Sequence, residues 1–238
     1  DPVTDRVRPV RILHLIDSGG LYGAERMLLT LMERQRDAGH EAVLLSAGVP
    51  GEPPKAVEVE AEARGLPVEA WRMAPRFNRR EAARILEWVH AQGFELMHTH
   101  GYKFNVLMGM FPRRRRRIPL VATLHGYITG TLFSRAWLYT RVDQLLLPRL
   151  DAVVLVSEAI RGRIPGAVAR KPSTRVIPNG IDLRKVRAQA DADAVPTEVE
   201  SFCTEHSPVL LGVGRLSDEK AFDRVLRIAA ALRDEHPA

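Results

Sequence analysis

The sequence has little of several residue types, and each shortage excludes a class of protein. Cys203 is the single cysteine among 238 residues, which excludes a disulfide scaffold and favours a reducing compartment, the cytoplasm. No apolar run approaches the roughly 20 residues that a membrane-spanning helix needs. Apolar residues nevertheless make up 45% of the chain and charged residues 27%. These fractions are close to the globular average, so the chain has enough apolar side chains to bury a sizeable core.

Lysine is also scarce, and the charge is unevenly distributed. Five lysines stand against thirty arginines, and the formal net charge is +6. Residues 1–180 carry a net charge of +9, whereas residues 181–238 carry −3. A basic surface favours phosphates, nucleic acid or anionic lipid, but net charge alone does not choose among them.

Short apolar runs alternate with longer amphipathic stretches over the first 180 residues, a pattern typical of βαβ units and a parallel sheet. Several runs are apolar throughout, as expected for strands that helices cover on both faces. The predicted strands are residues 10–16, 41–46, 67–71, 95–99, 119–124, 151–156 and 174–177. The predicted helices are residues 24–38, 79–91 and 134–147. We therefore expect an α/β fold with a Rossmann-like, doubly wound parallel sheet.

The composition changes after Asp182, which predicts a domain boundary. Residues 183–207 are rich in Ala, Asp, Glu and Val, and we interpret them as an interdomain linker with some helix. Beyond the linker, residues 208–213 predict a strand and residues 219–233 predict a helix. A unit of one strand and one helix is smaller than those that usually fold alone. The sequence therefore predicts an N-terminal domain over residues 1–182 and an incomplete second Rossmann-like domain over residues 208–238.

The loop after the first strand is rich in glycine. Because ligands of open parallel sheets bind beyond the carboxyl ends of the strands, this loop belongs to the candidate site. Gly19, Gly20 and Gly23 allow a sharp turn, and the start of the following helix favours an anion. The spacing is not G-x-G-x-x-G and no carboxylate ends the second strand, so a nicotinamide dehydrogenase is disfavoured. A simple tight turn explains the loop equally well.

Histidines follow the fourth and fifth strands. His98 and His100 point to one face of their strand because side chains alternate. A metal site would need a third ligand and none stands nearby in the sequence, so we assign no metal ligand. We interpret His98 as a buried structural residue and His100 as a polar contact. His125 precedes Gly126 at the lip of the sheet, where it would be a hydrogen-bond donor, a general acid/base or a structural histidine.

Two further segments are rich in cations. Arg215 follows a predicted strand and Lys220 opens the next helix, so these residues predict either a diphosphate site or a solvated helix start. The second segment is a run of five arginines: Arg113, Arg114, Arg115, Arg116 and Arg117. It predicts either a solvated loop or a contact with anionic lipid headgroups. Each arginine at a lipid surface contributes about 1 kcal/mol, and salt weakens the contact.

Together, the order of these motifs resembles that of the family-4 glycosyltransferases, which are retaining enzymes with the GT-B fold. The motifs are Gly19-Gly20-x-x-Gly23-Ala24-Glu25-Arg26, His98-x-His100-Gly101, Leu124-His125-Gly126, Val156-Ser157, Ile177-Pro178-Asn179-Gly180-Ile181-Asp182 and Val213-Gly214-Arg215-Leu216-x-x-Glu219-Lys220. The likeness extends from Val10 to Leu232. Its most specific parts are the Pro-Asn-Gly-Ile-Asp and Gly-Arg-Leu-x-x-Glu-Lys segments.

The resemblance implies two Rossmann-like domains that face a cleft. The N-terminal domain would bind the acceptor and the C-terminal domain would bind a nucleotide-diphosphate sugar as donor. Arg215 and Lys220 match the family's diphosphate-binding cations, and Gly19 and Gly20 match its glycine loop at the donor phosphates. His125 matches a histidine at the sugar-transfer centre.

The resemblance also implies where the acceptor binds and which cofactors are needed. Acceptor contacts are implied at Tyr22, His100, Tyr102 and Asn105. No protein nucleophile is required in the front-face mechanism proposed for these enzymes, and no metal or other cofactor is usually required. We expect a lipid-linked or cell-envelope glycan as acceptor and no nucleic-acid partner. The enzyme would act in polysaccharide biosynthesis in the cytoplasm, peripheral on the inner face of the membrane.

Two departures from the family pattern bear on activity. Ala221 stands where the family usually has glycine after the Glu-Lys pair. The family also carries two glutamates eight positions apart late in its donor domain, and no such pair follows Ile181. We therefore expect this chain to be the front part of a longer enzyme and to be inactive by itself.

Two other functions remain open from the sequence. One is a nucleotide-sugar epimerase of the same GT-B architecture, and the other is a non-catalytic basic module that binds lipid or nucleic acid. The Gly-Arg-Leu-x-x-Glu-Lys segment favours transfer over epimerisation. The aromatic residues near the arginine run do not interleave with the arginines as base-stacking platforms would.

Overall fold

The structure is a computed structural model that describes residues 8–74, 78–126, 134–192, 195–214, 216 and 220–235. The chain divides into two compact units, Asp1–Asp182 and Leu183–Ala238.

A sheet of seven strands forms the centre of the first unit, in the order β3-β2-β1-β4-β5-β6-β7. The strands are β1 (Arg11–Ile16), β2 (Glu41–Gly48), β3 (Val68–Arg72), β4 (Leu96–His100), β5 (Leu120–Leu124), β6 (Ala152–Leu155) and β7 (Thr174–Val176). Every pair of neighbouring strands is parallel. The order reverses between β1 and β4, and such a switch point opens a crevice at the carboxyl ends of the strands. The predicted α/β fold with a Rossmann-like parallel sheet is confirmed, and each strand lies within two residues of its predicted ends.

Within the described residues of this unit, seven α-helices connect the strands. They are α1 (Gly23–Asp37), α2 (Ala56–Ala63), α3 (Arg79–Ala91), α4 (Tyr102–Gly109), α5 (Arg113–Arg116), α6 (Arg135–Leu146) and α7 (Gly166–Ala169), and two 3-10 helices cover Leu147–Arg149 and Glu158–Arg163. The three predicted helices correspond to α1, α3 and α6. The sequence analysis did not find α4, because its side chains from Phe104 to Met108 are all buried and leave no amphipathic stripe.

Side chains alternate between the two faces of the sheet, so the core has one part on each face. Leu13 and Leu15 of β1 pack on one face of the sheet, in the cluster that includes Ile85 of α3 and Leu107 of α4. His14 therefore points to the opposite face. That face also holds Ile16, which packs with Leu28, Leu29 and Met32 of α1. The polar side chain of His14 therefore lies beneath α1 among apolar side chains.

The arginine run is not the uniformly solvated loop that the sequence allowed. It forms the short helix α5, and Arg116 is fully buried. The Arg116 guanidinium lies 3.0 Å from the Asp151 carboxylate and donates to the Arg149 carbonyl oxygen at 3.1 Å. A buried charge is retained only with such partners, so Arg116 is a structural residue and is not free to meet a lipid surface. The other four arginines of the run are exposed.

The second unit contains α8 (Leu183–Ala192), α9 (Thr197–Glu205) and α10 (Phe222–Glu235). Residues 208–213, predicted as a strand, form none, so that prediction is wrong. A strand is stable only when neighbouring strands satisfy its backbone groups. The described part of this unit contains no strand with which residues 208–213 could pair. As a result, Leu210, Leu211 and Val213 are exposed. The expected linker contains α8 and α9.

Across the described residues, no helix is both long enough and apolar enough to cross a bilayer.

Candidate functional site

The candidate site lies where β1, β4 and β5 end. These strands are neighbours and run parallel, so their carboxyl ends meet at one edge of the sheet. The glycine loop follows β1, Gly101 and α4 follow β4, and His125 follows β5. The sheet therefore brings together three of the segments that the sequence analysis singled out.

The buried side chain of Glu25 stabilises the glycine loop through hydrogen bonds. Ser18 Oγ donates to Glu25 Oε1 at 2.8 Å, and the Tyr22 amide donates to Glu25 Oε2 at 3.0 Å. The Gly20 amide donates to Ser18 Oγ at 3.1 Å. Gly20 also lies directly against the Tyr22 ring, since a Cβ at this position would lie 2.7 Å from that ring. Glu25 belongs to the Gly-x-x-Gly-Ala-Glu-Arg motif, but nothing in the sequence pattern indicated that it supports the loop.

Two lysines converge on the aspartate that begins this loop. Lys103 Nζ lies 2.7 Å from one carboxylate oxygen of Asp17, and Lys55 Nζ lies 3.1 Å from the other. Lys55 also donates to the Ser18 carbonyl oxygen at 2.9 Å. These contacts tie the loop to α4 and to the residue that precedes α2.

Three buried histidines lie side by side beneath this edge. Strand register pairs His14 of β1 with His98 of β4, and His100 follows on the same face. His14 Nδ1 lies 3.0 Å from His100 Nε2. We call these three residues the histidine cluster. Two of them also contact a polar side chain outside the cluster: His14 Nε2 lies 2.7 Å from Gln35 Oε1, and His98 Nε2 lies 2.7 Å from Thr123 Oγ1.

Burial keeps these imidazoles neutral. It lowers the pKa of His14 to about 4, although the hydrogen bond with Gln35 acts in the opposite direction. Burial also lowers the pKa of His98 and of His100 well below the usual value, and the neighbouring imidazoles add to the effect. The sequence analysis missed His14, because it searched for a third ligand only among sequence neighbours.

His125 lies directly after the end of β5, and its polar atoms have no hydrogen-bond partner among the described residues. It directly precedes Gly126, whose φ of +147° is a backbone conformation that favours glycine. Both of its ring nitrogens are buried, and neither has a hydrogen-bond partner among the described residues. Its ring lies 5.8 Å from that of His100. Burial lowers the pKa of His125, and the Glu25 carboxylate partly opposes this shift.

The four predicted acceptor contacts differ in accessibility. Tyr22 and Tyr102 are exposed, by 55% and 48%, and Tyr102 stacks on Tyr139 with ring centroids 5.6 Å apart. His100 and Asn105 are buried, and Thr99 Oγ1 donates to Asn105 Oδ1 at 2.5 Å. Of these four residues, the two tyrosines are therefore accessible to solvent, and their role remains a prediction.

The predicted diphosphate cations belong to the other unit. Arg215 lies outside the described residues, and the Lys220 side chain is exposed. Their role remains a prediction.

The Pro-Asn-Gly-Ile-Asp segment has a structural position of its own. Pro178, Asn179 and Gly180 line a cavity of about 350 Å³ between α1 and the sheet, and Gln35, His98 and Thr123 form another part of its wall. Asp182 ends the segment and forms an ion pair with Arg34 of α1 at 2.5 Å. The segment therefore closes one side of a cavity that reaches the histidine cluster.

Comparison with known proteins gives one family match. The model of Glycosyltransferase Family 4 matches residues 22–185, and no curated protein matches the sequence. Among solved structures, HepE of Anabaena in complex with UDP is 23% identical, with a TM-score of 0.60 over 82% of this chain and 50% of that one.

Two further solved structures share the fold at lower identity. An α-glucosyltransferase in complex with UDP and a 13-mer DNA is 14% identical, with a TM-score of 0.51 over 76% of this chain and 45% of that one. UDP-N-acetylglucosamine 2-epimerase of Rickettsia bellii is 10% identical, with a TM-score of 0.50 over 81% of this chain and 51% of that one. The chain spans about half the length of these structures, and at such identities the likeness shows the fold alone.

Proposed function

Because this chain belongs to glycosyltransferase family 4, we propose that it is the acceptor-binding part of a retaining glycosyltransferase. The enzyme would move a sugar from a nucleotide-diphosphate sugar to an acceptor hydroxyl. The observation that carries this proposal is His125, which directly follows β5 at the crevice and has two buried ring nitrogens with no hydrogen-bond partner among the described residues. A polar side chain held in this way supports a role in binding a ligand group.

The reaction breaks the bond between the anomeric carbon and the β-phosphate oxygen, and forms a bond to the acceptor oxygen on the same face. Negative charge develops on the leaving diphosphate, which takes up the proton of the acceptor hydroxyl. The loop at Gly19 and Gly20 would lie against that charge. The Gly19 amide would stabilise it more strongly in the transition state than in the ground state, since the Gly20 amide donates to Ser18 Oγ. Neutral His125 would hydrogen-bond the transferred sugar without adding a positive charge.

The second unit would supply the cations for the diphosphate. Arg215 and Lys220 are the candidates, and each charge-assisted hydrogen bond contributes about 1.5–3 kcal/mol. Two cations at the diphosphate would perform the task that a metal ion performs in other enzymes, so we propose that donor binding needs no metal or other cofactor.

The acceptor we propose is a lipid-linked or cell-envelope glycan. Tyr22 and Tyr102 offer exposed rings on which a sugar can stack. Arg114, Arg115 and Arg117 would contact anionic headgroups at the inner face of the membrane, whereas Arg113 and Arg116 both pair with Asp151. The enzyme would thus be cytoplasmic and peripheral.

The test is an assay of the enzyme that carries this chain, with a panel of nucleotide sugars and glycan acceptors. We expect transfer with retention of the anomeric configuration, measured by NMR of the product. Epimerised nucleotide sugar formed without acceptor would support the epimerase function instead. Salt-dependent nucleic-acid binding without any nucleotide-sugar binding would support the non-catalytic module.

A further inference from the structure

The histidine cluster has the composition and spacing of a metal site. His14, His98 and His100 each offer a ring nitrogen, and these three atoms all lie within 4.8 Å of one another. The ring centroids are 4.4 to 5.3 Å apart, and all three side chains are buried. Two parallel strands hold them, so the backbone positions are rigid.

We propose that His14, His98 and His100 form a binding site for a divalent late-transition-metal ion, with Zn²⁺ as the occupant. Imidazole nitrogens favour Zn²⁺, Co²⁺, Ni²⁺ and Cu²⁺, whereas Mg²⁺ and Ca²⁺ favour oxygen ligands. Three protein ligands leave the fourth tetrahedral position for water or hydroxide. The site differs from the proposed donor phosphate site, and its existence does not depend on the proposed transfer reaction.

Two polar neighbours hold the rings in an orientation that suits metal binding. His14 contacts Gln35 Oε1 through Nε2, and His98 contacts Thr123 Oγ1 through Nε2. Metal-binding histidines commonly use one ring nitrogen for the ion and the other for such an outer contact. The Gln35 carbonyl accepts the Nε2 proton of His14, which leaves Nδ1 with a free lone pair directed at His100.

Binding of the ion requires His100 to change tautomer, with its proton on Nδ1 and not on Nε2. Before the ion binds, His100 Nε2 donates to His14 Nδ1 at a separation of 3.0 Å. The ion would replace that proton, and His100 would carry it on Nδ1 instead. His100 Nδ1 is buried and has no partner among the described residues, so no existing hydrogen bond is broken there. Both nitrogens then face the ion as acceptors, and the imidazoles stay neutral.

A cavity reaches the outer side of the cluster. It has a volume of about 350 Å³, lies beneath α1, and is lined by His98 and by the outer neighbours Gln35 and Thr123. A hydroxide at the fourth position would reduce the charge that the buried site must accommodate.

Zinc content and affinity of this chain test the proposal. The chain is loaded with Zn²⁺, dialysed, and analysed by elemental analysis and by competition with a chromophoric chelator. We expect one tightly held ion per chain, and no retention of Mg²⁺. His14→Gln and His98→Gln should each weaken Zn²⁺ binding at least a hundredfold. Gln35→Leu keeps all three histidines and should weaken it about tenfold. His206→Gln, in the second unit, is the matched control and should bind like the parent chain.

Spectroscopy of the unmutated chain tests the proposal even if a variant does not fold. Zn²⁺ should shift the ring-nitrogen NMR signals of His14, His98 and His100, and Co²⁺ should give the visible absorption of a tetrahedral site. The proposal is overturned if the chain retains no Zn²⁺, if His206→Gln loses it equally, or if only histidines outside the cluster shift. None of these outcomes bears on sugar transfer.

Discussion

His14 Nδ1 lies 3.0 Å from His100 Nε2, although 86 positions of sequence separate the two residues. The parallel pairing of β1 with β4 creates this contact, because it places both side chains on the same face of the sheet. The contact lies beneath α1 and is shielded from water, and three neutral imidazoles therefore share one buried pocket. This arrangement makes the fold sensitive to acid.

We expect the free energy of unfolding to fall as the pH drops from about 6.5 to 4. The pKa of His14 is about 4 in the folded chain and about 6.5 when unfolded. Between these values the unfolded chain binds a proton that the folded chain does not, so acid favours unfolding. The contribution of His14 is fully present above pH 6.5, and about 3 kcal/mol is lost by pH 4.

Urea unfolding at pH 7.5, 6 and 5 measures this dependence. His14→Gln should reduce this dependence but not abolish it, because burial also lowers the pKa of His98 and of His100, whereas His206→Gln should leave it unchanged. Equal stability of the parent chain at pH 7.5 and 5 would contradict the prediction.

Removal of the carboxylate at Asp151 should destabilise the first unit strongly. Arg116 is fully buried, and Asp151 is its counter-charge at 3.0 Å. Asp151 also accepts from the Leu120 amide at 2.8 Å. Asp151→Ala would leave an uncompensated buried charge, which costs about 3–5 kcal/mol. Arg114→Ala removes an exposed arginine of the same run and should change stability by less than about 0.5 kcal/mol. Thermal unfolding of both variants tests this prediction. Equal losses of stability in the two variants would refute a structural role for Arg116.

His125→Ala should lower turnover at least about a hundredfold in the enzyme that carries this chain, because one polar contact to the transition state has that value. The fold should be intact, since His125 makes no hydrogen bond to the described residues. His40→Ala is the control: His40 precedes β2 at the opposite edge of the sheet and accepts from the Val10 amide. Steady-state kinetics and circular dichroism would show the difference. Near-parental turnover in a folded His125 variant would remove this residue from the proposed mechanism.

Replacement of two exposed arginines of the run should weaken binding to anionic vesicles. Arg114→Ser with Arg115→Ser removes about 2 kcal/mol of headgroup attraction at low salt, a reduction of more than tenfold in partitioning. The matched control, Arg79→Ser with Arg80→Ser, removes the same charge from the exposed start of α3. Liposome sedimentation at low and moderate salt compares the two. If both pairs reduce binding equally, net charge accounts for the effect and the run has no special role.

Periodicity in the sequence predicted the strands of the first unit and three of its seven described α-helices. Its strands and the helices α1, α3 and α6 follow from apolar spacing, which reports on a few consecutive residues at a time. The helix α4 was missed because side chains such as Phe104 and Leu107 are buried all round it. The strand expected at residues 208–213 did not form, because strand stability depends on partners that spacing does not reveal.

For the site, the sequence by itself determined which side chains follow each strand and that His98 and His100 share a face, since side-chain alternation is a local property of the backbone. It also determined the family, through the order of its motifs. Only the tertiary structure decided that His14 completes the cluster, that Glu25 braces the glycine loop and that Arg116 is buried against Asp151. Those relationships depend on strand pairing and helix packing between distant segments, and no spacing within one segment encodes them.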